Sequence, residues 1–321
     1  MTAKRRNGSN WFRDAAIRRI FPEHGVSKVV VSRKPVAEST IERLRAYWQL
    51  SKPRVTLLVW ITNLLGMIIA GGGPTALFVA NLSAAWFVVA AANALNQVIE
   101  AQADRQMERT KHRPIPSGRL SPNEATFVGV VWGIIGLSLL AVFVNAITAL
   151  LGAVSIGLYV FGYTLLKPRS HLCTVIGAIP GAIPPLAGFA AVTGTIAAPG
   201  VLLFALQFFW QFPHFWAIAW LLREDYAKVG FKMLPFPGAG GRQTALCALQ
   251  YSLPLLPLSV LAALQVRYIW EFAGFAAILA GFLMATSLNF VRNPDSLHAK
   301  KLLKATILYI PALLVVMAAC R

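Results

Sequence analysis

The chain has 321 residues, of which 57% are hydrophobic and only 13% are charged, about half the charged share of an ordinary soluble domain. This composition excludes a water-soluble domain and predicts a protein embedded in a bilayer. The net charge of +18 would suit a nucleic-acid-binding protein, but the cations follow the loops of a membrane protein, and we therefore expect no nucleic-acid partner.

The first 47 residues form a separate, polar and basic segment. It lacks the apolar core of a signal peptide. The stretch Trp11 to Phe21 suits an amphipathic helix on anionic lipid or a mitochondrial transit peptide, and a disordered basic tail is the third interpretation. We predict two parts: a basic segment at 1–47, disordered or lying on the membrane surface, and a transmembrane domain at 48–321.

The rest of the chain contains nine apolar segments, each long enough for the roughly 20 residues that cross a bilayer. They lie at 54–71, 76–97, 123–143, 147–166, 173–192, 200–221, 244–263, 268–288 and 303–320. In the fifth segment, prolines at 180, 184 and 185 are expected to interrupt the helix and open a pocket wall. The predicted fold class is all-α: a polytopic membrane protein with a bundle of nine transmembrane helices.

The distribution of Lys and Arg predicts the orientation. With the N-terminus in the cytoplasm, 28 of the 30 cations fall on the cytoplasmic side, as the positive-inside rule requires. The segments on that side are 1–54, 98–122, 167–172, 222–243 and 289–302, with Lys304 at the edge of the last span. Two of these loops carry acids beside cations, which predicts one active site at the cytoplasmic membrane boundary.

The first of these loops follows an apolar helix and begins with a stripe of acids. Asn96, Glu100, Asp104 and Glu108 stand four residues apart, so they lie on one slowly drifting face of a helix. Acids near lipid are costly and are usually functional. Mg²⁺ prefers oxygen ligands and takes one or two carboxylates plus substrate phosphates. Glu100 and Asp104, with the neutral oxygen of Asn96, are therefore the predicted metal ligands.

Cations follow this stripe at once. Arg109, Lys111 and Arg113 are predicted to hold diphosphate oxygens, Arg in bidentate fashion. The alternative is a solvated helix end with simple ion pairs such as Glu100 with Arg105.

The second loop carries two adjacent acids. Glu224 and Asp225 follow the sixth span, and Asp225 is predicted to point inward and complete the metal and diphosphate site. The alternative is an ordinary loop ion pair with Arg223 or Lys228.

His214 lies inside a span, beside Pro213 and several aromatic residues. A histidine within a membrane is often functional, and its titration range suits an iron ligand or a proton donor and acceptor. The alternative is a buried histidine satisfied by one hydrogen bond. The neighbouring aromatic rings either pack against lipid or line a cavity whose π faces stabilise a carbocation.

Taken together, these motifs resemble the UbiA superfamily of intramembrane prenyltransferases, and within it the haem O synthase branch (protohaem IX farnesyltransferases). The resemblance covers roughly residues 45–320. It is carried by the following motifs: Asn96, Glu100 and Asp104 with Arg109-Thr110 and Arg113-Pro114; Tyr163 to Lys167; Ile183 to Gly188; Trp210-Gln211 with Pro213 to Trp216; and Asp225-Tyr226 with Gly230 and Met233 to Pro235.

The resemblance implies an enzyme that transfers the farnesyl group of farnesyl diphosphate to a vinyl group of haem B, with addition of water, to make haem O for terminal oxidases. It implies Mg²⁺ as the cofactor and haem A synthase as a partner. The implied site residues are Asn96, Glu100, Asp104 and Asp225 for the metal, Arg109, Lys111, Arg113 and Lys167 for the diphosphate, Tyr163, Trp210 and Gln211 for further substrate contacts, and His214 for haem contact or proton handling.

This chain departs from the family pattern at three places. Glu100 and Gln102 stand where Asp is common, and Lys228-Val229 replaces a further acid of related prenyltransferases. The implied location is the bacterial inner membrane, with the mitochondrial inner membrane as the alternative. Two competing functions remain: a related prenyltransferase that alkylates a quinone precursor or another tetrapyrrole, and a transporter for haem or an anionic lipid, which would not consume diphosphate.

Overall fold

The computed structural model describes residues 40–321, and within that range every regular element is a helix. The helices are α1 (Thr40–Leu50), α2 (Pro53–Ile69), α3 (Thr75–Gln106), α4 (Pro122–Phe143), α5 (Ala146–Gly157), α6 (Cys173–Thr193), α7 (Ala198–Leu221), α8 (Arg223–Lys228), α9 (Gly241–Ser252), α10 (Leu255–Leu261), α11 (Ile269–Arg292) and α12 (Ser296–Ala319). A π-helical segment, Leu158–Thr164, continues α5, and a 3-10 turn, Ala262–Gln265, continues α10. The predictions for residues 1–39 lie outside the described residues, and the predicted domain boundary after residue 47 falls inside α1.

Within residues 40–321, eight helical stretches are long and apolar enough to cross a membrane, and the number becomes nine if α1 and α2 form one span. These two helices meet at a bend of 48°. Alone, α2 has only 17 residues, so the ninth predicted span depends on this bent pair. The predicted class, an all-α bundle in the membrane, is confirmed, and the chain is a multi-pass membrane protein.

The helix α3 extends well beyond its predicted apolar span. It has 32 residues and ends at Gln106, whereas the predicted span ended at residue 97. Because the helix continues without a break, Asn96, Glu100 and Asp104 lie at successive turns of one face, and all three are buried. Glu108 lies beyond the end of the helix, so the predicted stripe stops at Asp104.

The bend between α1 and α2 places a lysine in an unusual backbone conformation. Lys52 has φ 51° and ψ 62°, the left-handed region that costs a residue with a side chain roughly 1–2 kcal/mol. Pro53, which begins α2, disfavours the right-handed region for the residue before it. The carbonyl of Ser51 accepts hydrogen bonds from Asn93 Nδ2 at 3.1 Å and from Thr56 Oγ1 at 2.6 Å. Contacts from α2 and α3 therefore hold the bend in place.

The predicted interruption of the fifth span is wrong. The helix α6 is continuous, although it contains Pro180, Pro184 and Pro185. Neighbouring helices make such a helix tolerable in a membrane, and here α2 packs directly against it. Asn63 Nδ2 donates a hydrogen bond to the carbonyl of Pro184 at 3.2 Å. A Cβ atom at Gly188 would lie only 1.9 Å from the carbonyl oxygen of Asn63, so a glycine is required for this close approach.

The second half of the bundle is built on large buried side chains. The helices α7, α10, α11 and α12 share one apolar cluster, in which Phe212, Phe272, Phe290 and Tyr309 are the largest fully buried members. The Tyr309 hydroxyl forms a hydrogen bond with the Ser259 hydroxyl, which satisfies both polar groups inside the bundle.

The contact between α2 and α6 yields a first prediction. Gly188→Ala forces a methyl group into the Asn63 backbone, and overpacking of this kind costs about 1–3 kcal/mol or more. We expect a clearly lower midpoint of thermal unfolding in detergent, measured by intrinsic fluorescence. The matched control is Gly281→Ala on α11, where a Cβ atom would meet nothing within 4 Å. An unchanged midpoint for Gly188→Ala would contradict the close approach of the two helices.

Candidate active site

Two of the predicted carboxylates lie buried at the end of α3, and each pairs with a cation from elsewhere in the chain. Glu100 is 6% exposed and Asp104 is 0% exposed. Lys167 Nζ lies 2.5 Å from Glu100 Oε1, and Arg113 Nη1 lies 2.7 Å from Asp104 Oδ2. Buried charges are tolerated mainly when they are paired, and each of these acids has a cation as its direct partner. The alternative of a solvated helix end is thereby excluded for Glu100 and Asp104.

The loop after α3 folds back on the helix and brings Arg113 to Asp104. The Thr110 hydroxyl donates a hydrogen bond to the carbonyl of Asp104 at 2.9 Å. Further along the loop, Ile115 and Leu120 are buried in an apolar cluster with α1 and α4. This anchoring fixes the return path of the loop. The fold of this loop therefore places Arg113, which is predicted to bind the diphosphate, beside Asp104.

The π-helical segment places the second cation. Thr164 Oγ1 donates to the carbonyl of Tyr159 at 2.8 Å and accepts a hydrogen bond from Asn96 Nδ2 at 3.0 Å. Lys167 follows directly and lies 4.3 Å from the ring centroid of Tyr163. In α6, Gly177 makes room for that ring, because a Cβ atom there would lie 2.6 Å from it. Single π-helical turns are often found at functional sites, and here the turn joins Thr164, Tyr163 and Lys167 to the carboxylate face of α3.

Two opposing effects act on the protonation of Lys167. Burial lowers its pKa, but the charge of Glu100 and the hydrogen bond to it outweigh the burial, so that the net effect is a pKa above the ordinary lysine value. Lys167 is therefore an ammonium ion at neutral pH, which matches the anionic carboxylate beside it.

Sequence reasoning missed Lys52, the third cation of the cluster. Its Nζ atom donates to Asn96 Oδ1 at 2.8 Å. The sequence offers one signal for it, a lysine immediately before a proline at the start of an apolar span, in Ser51-Lys52-Pro53. Thr164 was also missed, because a threonine in an apolar run gives no sign of a bond to Asn96.

The polar cluster, defined as Lys52, Asn96, Glu100, Asp104, Arg113 and Lys167, has the ligands of a divalent metal site. Asp104 Oδ1 is buried and has no hydrogen-bond partner within the described part of the chain, which is costly for a carboxylate oxygen. Among residues 40–321 no group of three or more His, Cys, Asp or Glu side chains surrounds a common point. Two carboxylates with phosphate oxygens and water are the usual ligands of Mg²⁺, so these residues fit a metal whose remaining ligands come from a bound diphosphate.

The structure does not bring the second acidic loop into the polar cluster. Asp225 Oδ1 lies 2.9 Å from Lys228 Nζ, and this contact raises the pKa of Lys228. Glu224 lies 3.3 Å from Arg223. These are the loop ion pairs that were the alternative interpretation for this segment. Whether Asp225 contributes to the metal site remains a prediction.

The remaining predicted cations lie at the rim of the cluster. Lys111 Nζ lies 2.5 Å from Glu108 Oε2, and both side chains are well exposed to solvent. Arg109 is also exposed. Unlike Arg113 and Lys167, these two residues do not pair with the buried acids, and a role in binding diphosphate remains a prediction for them.

The predicted residues on α7 form a separate group. Trp210 Nε1 donates to the carbonyl of Thr306 at 2.6 Å, its ring stacks on His214 at a centroid distance of 4.9 Å, and Gln211 Nε2 donates to the carbonyl of Ala178 at 2.9 Å. His214 Nδ1 lies 2.9 Å from Thr306 Oγ1. The Thr306 hydroxyl already donates to Leu303, so it accepts from His214 Nδ1–H, and the Nε2 atom keeps its lone pair.

Known proteins are similar to this chain over most of its length. The model of the UbiA prenyltransferase family matches residues 59–310. The chain is 39% identical to a protoheme IX farnesyltransferase of Thermosynechococcus vestitus, over 87% of this chain and 89% of the relative. It is 37% identical to one of Cytophaga hutchinsonii, over 84% of this chain and 95% of the relative, and 36% identical to a mitochondrial one of Arabidopsis thaliana, over 83% and 63%.

Solved structures share the fold at low sequence identity. A digeranylgeranylglyceryl phosphate synthase superposes with a TM-score of 0.72 and 20% identity, over 87% of this chain and 98% of that one. A UbiA homologue from Aeropyrum pernix gives 0.64 and 15%, over 83% and 96%. A UbiA homologue from Archaeoglobus fulgidus, bound to DMAPP and Mg²⁺, gives 0.53 and 16%, over 86% and 99%.

The Asp104–Arg113 pair yields a second prediction. Arg113→Met leaves the buried Asp104 charge unpaired, and such a change typically costs about 3–5 kcal/mol. We expect a large fall in the thermal midpoint of the single variant and a substantial recovery in the double variant Asp104→Asn/Arg113→Met. Thermal unfolding of the four proteins of this cycle measures the coupling. Additive effects of the two changes would contradict a direct ion pair.

Proposed function

The chain belongs to the UbiA prenyltransferase family, and we propose that it transfers the farnesyl group of farnesyl diphosphate to a vinyl group of haem B, with addition of water, to give haem O for terminal oxidases. Support for this acceptor comes from the 36–41% identity to protoheme IX farnesyltransferases over most of the chain. The observation that supports this chemistry is the polar cluster at the C-terminal end of α3. It contains two buried carboxylates and one amide, which contact three basic side chains.

We propose Mg²⁺ as the cofactor, held by Asn96, Glu100 and Asp104, with Asp225 as a further ligand from the second loop. The unpartnered Oδ1 atom of Asp104 supports this assignment, and the Archaeoglobus homologue binds Mg²⁺ together with DMAPP. When bound, the metal neutralises charge that develops on the departing diphosphate. Asp225 would have to exchange its partner Lys228 for the metal.

The cations of the cluster change partners when substrate binds. Lys167 and Arg113 now neutralise Glu100 and Asp104, and Lys52 binds Asn96. A diphosphate offers these cations stronger anionic partners, because charge-assisted and bidentate contacts to phosphate are short and strong. In a site with little water these contacts stabilise the leaving group as the carbon–oxygen bond breaks. Arg109 and Lys111 at the rim guide the diphosphate inward.

The interior of the bundle protects the allylic carbocation that remains. An apolar, water-poor environment prevents early capture by water. The face of Tyr163 already holds a cation, since Lys167 Nζ lies 4.3 Å from its centroid. Once Lys167 turns to the diphosphate, the same face is available to a carbocation. The vinyl group of haem B then attacks, and water adds to the cation formed beside the porphyrin.

We propose that the α7 residues serve the haem. His214 presents an unprotonated Nε2 atom because its Nδ1–H is held by Thr306, and such an atom binds iron or accepts a proton. Trp210 stacks on the histidine ring and keeps it in one orientation. Gln211, bound to the carbonyl of Ala178, holds α7 against the proline-rich helix α6.

We propose the bacterial inner membrane as the location, with the N-terminus in the cytoplasm and the polar cluster on the cytoplasmic side. The distribution of Lys and Arg supports this orientation. The alternative is the inner mitochondrial membrane, because the name of the Arabidopsis relative describes it as mitochondrial. We propose haem A synthase as the partner because an enzyme that oxidises haem O would take up this product.

The third prediction tests the activity directly. The purified protein in detergent, with Mg²⁺, farnesyl diphosphate and haem B, should give haem whose mass increases by one farnesyl group plus one hydroxyl group, because the water that captures the cation loses a proton. Asp104→Asn should abolish this product, whereas Asp295→Asn, a change at the exposed cap of α12, should retain it. Mass spectrometry of the extracted haem and a diphosphate assay provide the readouts.

The two readouts separate the competing functions. Diphosphate release with unchanged haem would favour a prenyltransferase with a quinone precursor or another tetrapyrrole as acceptor. Binding without diphosphate release, in protein that remains folded, would favour a transporter.

The fourth prediction concerns Lys52, which sequence reasoning missed. Lys52→Met removes the amino group that donates to Asn96, and leaving a buried acceptor without its partner costs about 1–3 kcal/mol. We expect kcat/KM for farnesyl diphosphate to fall by roughly 10- to 100-fold. Arg54→Met, which removes the exposed cation two residues further on, should have little effect. Equal losses of kcat/KM in the two variants would contradict a specific role for Lys52 and would show that only the total positive charge near the site matters.

A further inference from the structure

One side of α12 carries an exposed stripe of side chains that changes from basic to apolar along the helix. The α12 stripe consists of Leu297, Lys301, Lys304, Leu308 and Val315. Because these residues recur at helical spacing, they share one face of α12. All five are exposed, whereas the opposite face is buried in the apolar cluster that α12 shares with α7, α10 and α11. In a multi-pass membrane protein, such a stripe faces the surrounding lipid.

The lysines of the stripe lie near one boundary of the hydrocarbon layer. Successive spans run in opposite directions, so α12 begins on the same side of the membrane as the polar cluster. Its 24 residues extend about 36 Å, against roughly 30 Å of hydrocarbon. Lys304 lies about 12 Å along the helix from its first residue, Ser296. A lysine at this depth extends its ammonium group to the level of the lipid headgroups.

No acid in the described part of the chain pairs with these ammonium groups. Among residues 40–321, neither Lys301 nor Lys304 nor the adjacent Lys300, which is also exposed, forms an ion pair. The acid that precedes them, Asp295, lies 2.9 Å from His298 Nδ1 and also accepts a hydrogen bond from the His298 backbone N–H. The charges of these lysines are therefore available to an anion from the membrane that surrounds α12.

We propose that Lys300, Lys301 and Lys304 bind the phosphate of an anionic phospholipid whose acyl chains lie along Leu308 and Val315. The phosphate lies at the level that the ammonium groups reach, and the apolar end of the stripe matches the acyl chains. A zwitterionic lipid carries its own positive charge and gains less from three lysines, so the site favours a lipid with net negative charge. In the proposed orientation this lipid belongs to the cytoplasmic leaflet, where basic segments attract anionic lipids. The site is independent of the proposed prenyl transfer.

The test measures the lipid retained by the full-length protein in detergent. Native mass spectrometry counts bound lipid after incubation with phosphatidylglycerol, or with phosphatidylcholine that has the same acyl chains. We expect the variant Lys300→Gln/Lys301→Gln/Lys304→Gln to retain roughly tenfold less phosphatidylglycerol than the unmodified protein. Retention of phosphatidylcholine should be low in both proteins. The variant with Arg at the same three positions keeps the charge and should retain phosphatidylglycerol as the unmodified protein does.

A matched control removes the same charge from another part of the same membrane side. Arg105, Arg169 and Lys232 are exposed cations, and Gln at these three positions should leave retention unchanged. An equal loss in this control, or full retention by the stripe variant, would overturn the proposal. Displacement of the lipid by inorganic phosphate would also overturn it, because the acyl chains would then contribute nothing.

A single substitution covers the case in which the triple variant does not fold. Lys304→Gln alone should lower the retention of phosphatidylglycerol about threefold, and an unchanged value in this folded variant would overturn the proposal. Retention of phosphatidylcholine equal to that of phosphatidylglycerol in the unmodified protein would overturn it as well, since the lysines would then not select for charge.

Discussion

The structure depends on how two negative charges are accommodated where the bundle meets the membrane boundary. Glu100 and Asp104 are almost completely buried, in a chain with few charged residues, and each would be strongly destabilising without a counter-charge. The counter-charges come from the loop after α3 and from the segment after the π turn. Three separate stretches of sequence must therefore fold correctly before α3 can keep its acids buried.

Two irregular parts of the backbone serve this arrangement. The left-handed Lys52 lets α2 begin at a proline and directs an ammonium group at Asn96. In the π-helical segment, the Thr164 hydroxyl accepts a hydrogen bond from the side-chain amide of the same residue, Asn96. Local strain at functional sites is maintained only where the surroundings determine it, and here Asn93 and Thr56 bind the carbonyl next to Lys52. These two departures from regular helix thus meet at one amide side chain, Asn96.

Much of the fold, and all of the polar cluster except Lys52, could be predicted from the sequence and from the resemblance that it carries. The apolar segments and the four-residue spacing of Asn96, Glu100 and Asp104 depend on local periodicity, which a sequence displays directly. The continuity of α6 could not be predicted, because its prolines are tolerated only through α2, a contact between distant residues. Lys52 was missed for a similar reason: its role depends on a bend and on a partner 44 residues away. Asp225 lies on a short exposed helix, and no periodicity specifies which way such a residue faces.

The pairing of acids with cations inside the cluster has a consequence for how the two proposed ligands, the metal ion and the diphosphate, affect each other's binding. A metal ion alone would have to draw Glu100 and Asp104 away from Lys167 and Arg113, which would leave two buried ammonium and guanidinium charges without partners. A diphosphate alone would leave two buried carboxylates exposed to each other. When both arrive, every charge finds a new counter-ion, so each ligand should strengthen the binding of the other. On the proposed function, the cluster would therefore bind the metal–diphosphate complex more tightly than either ion by itself.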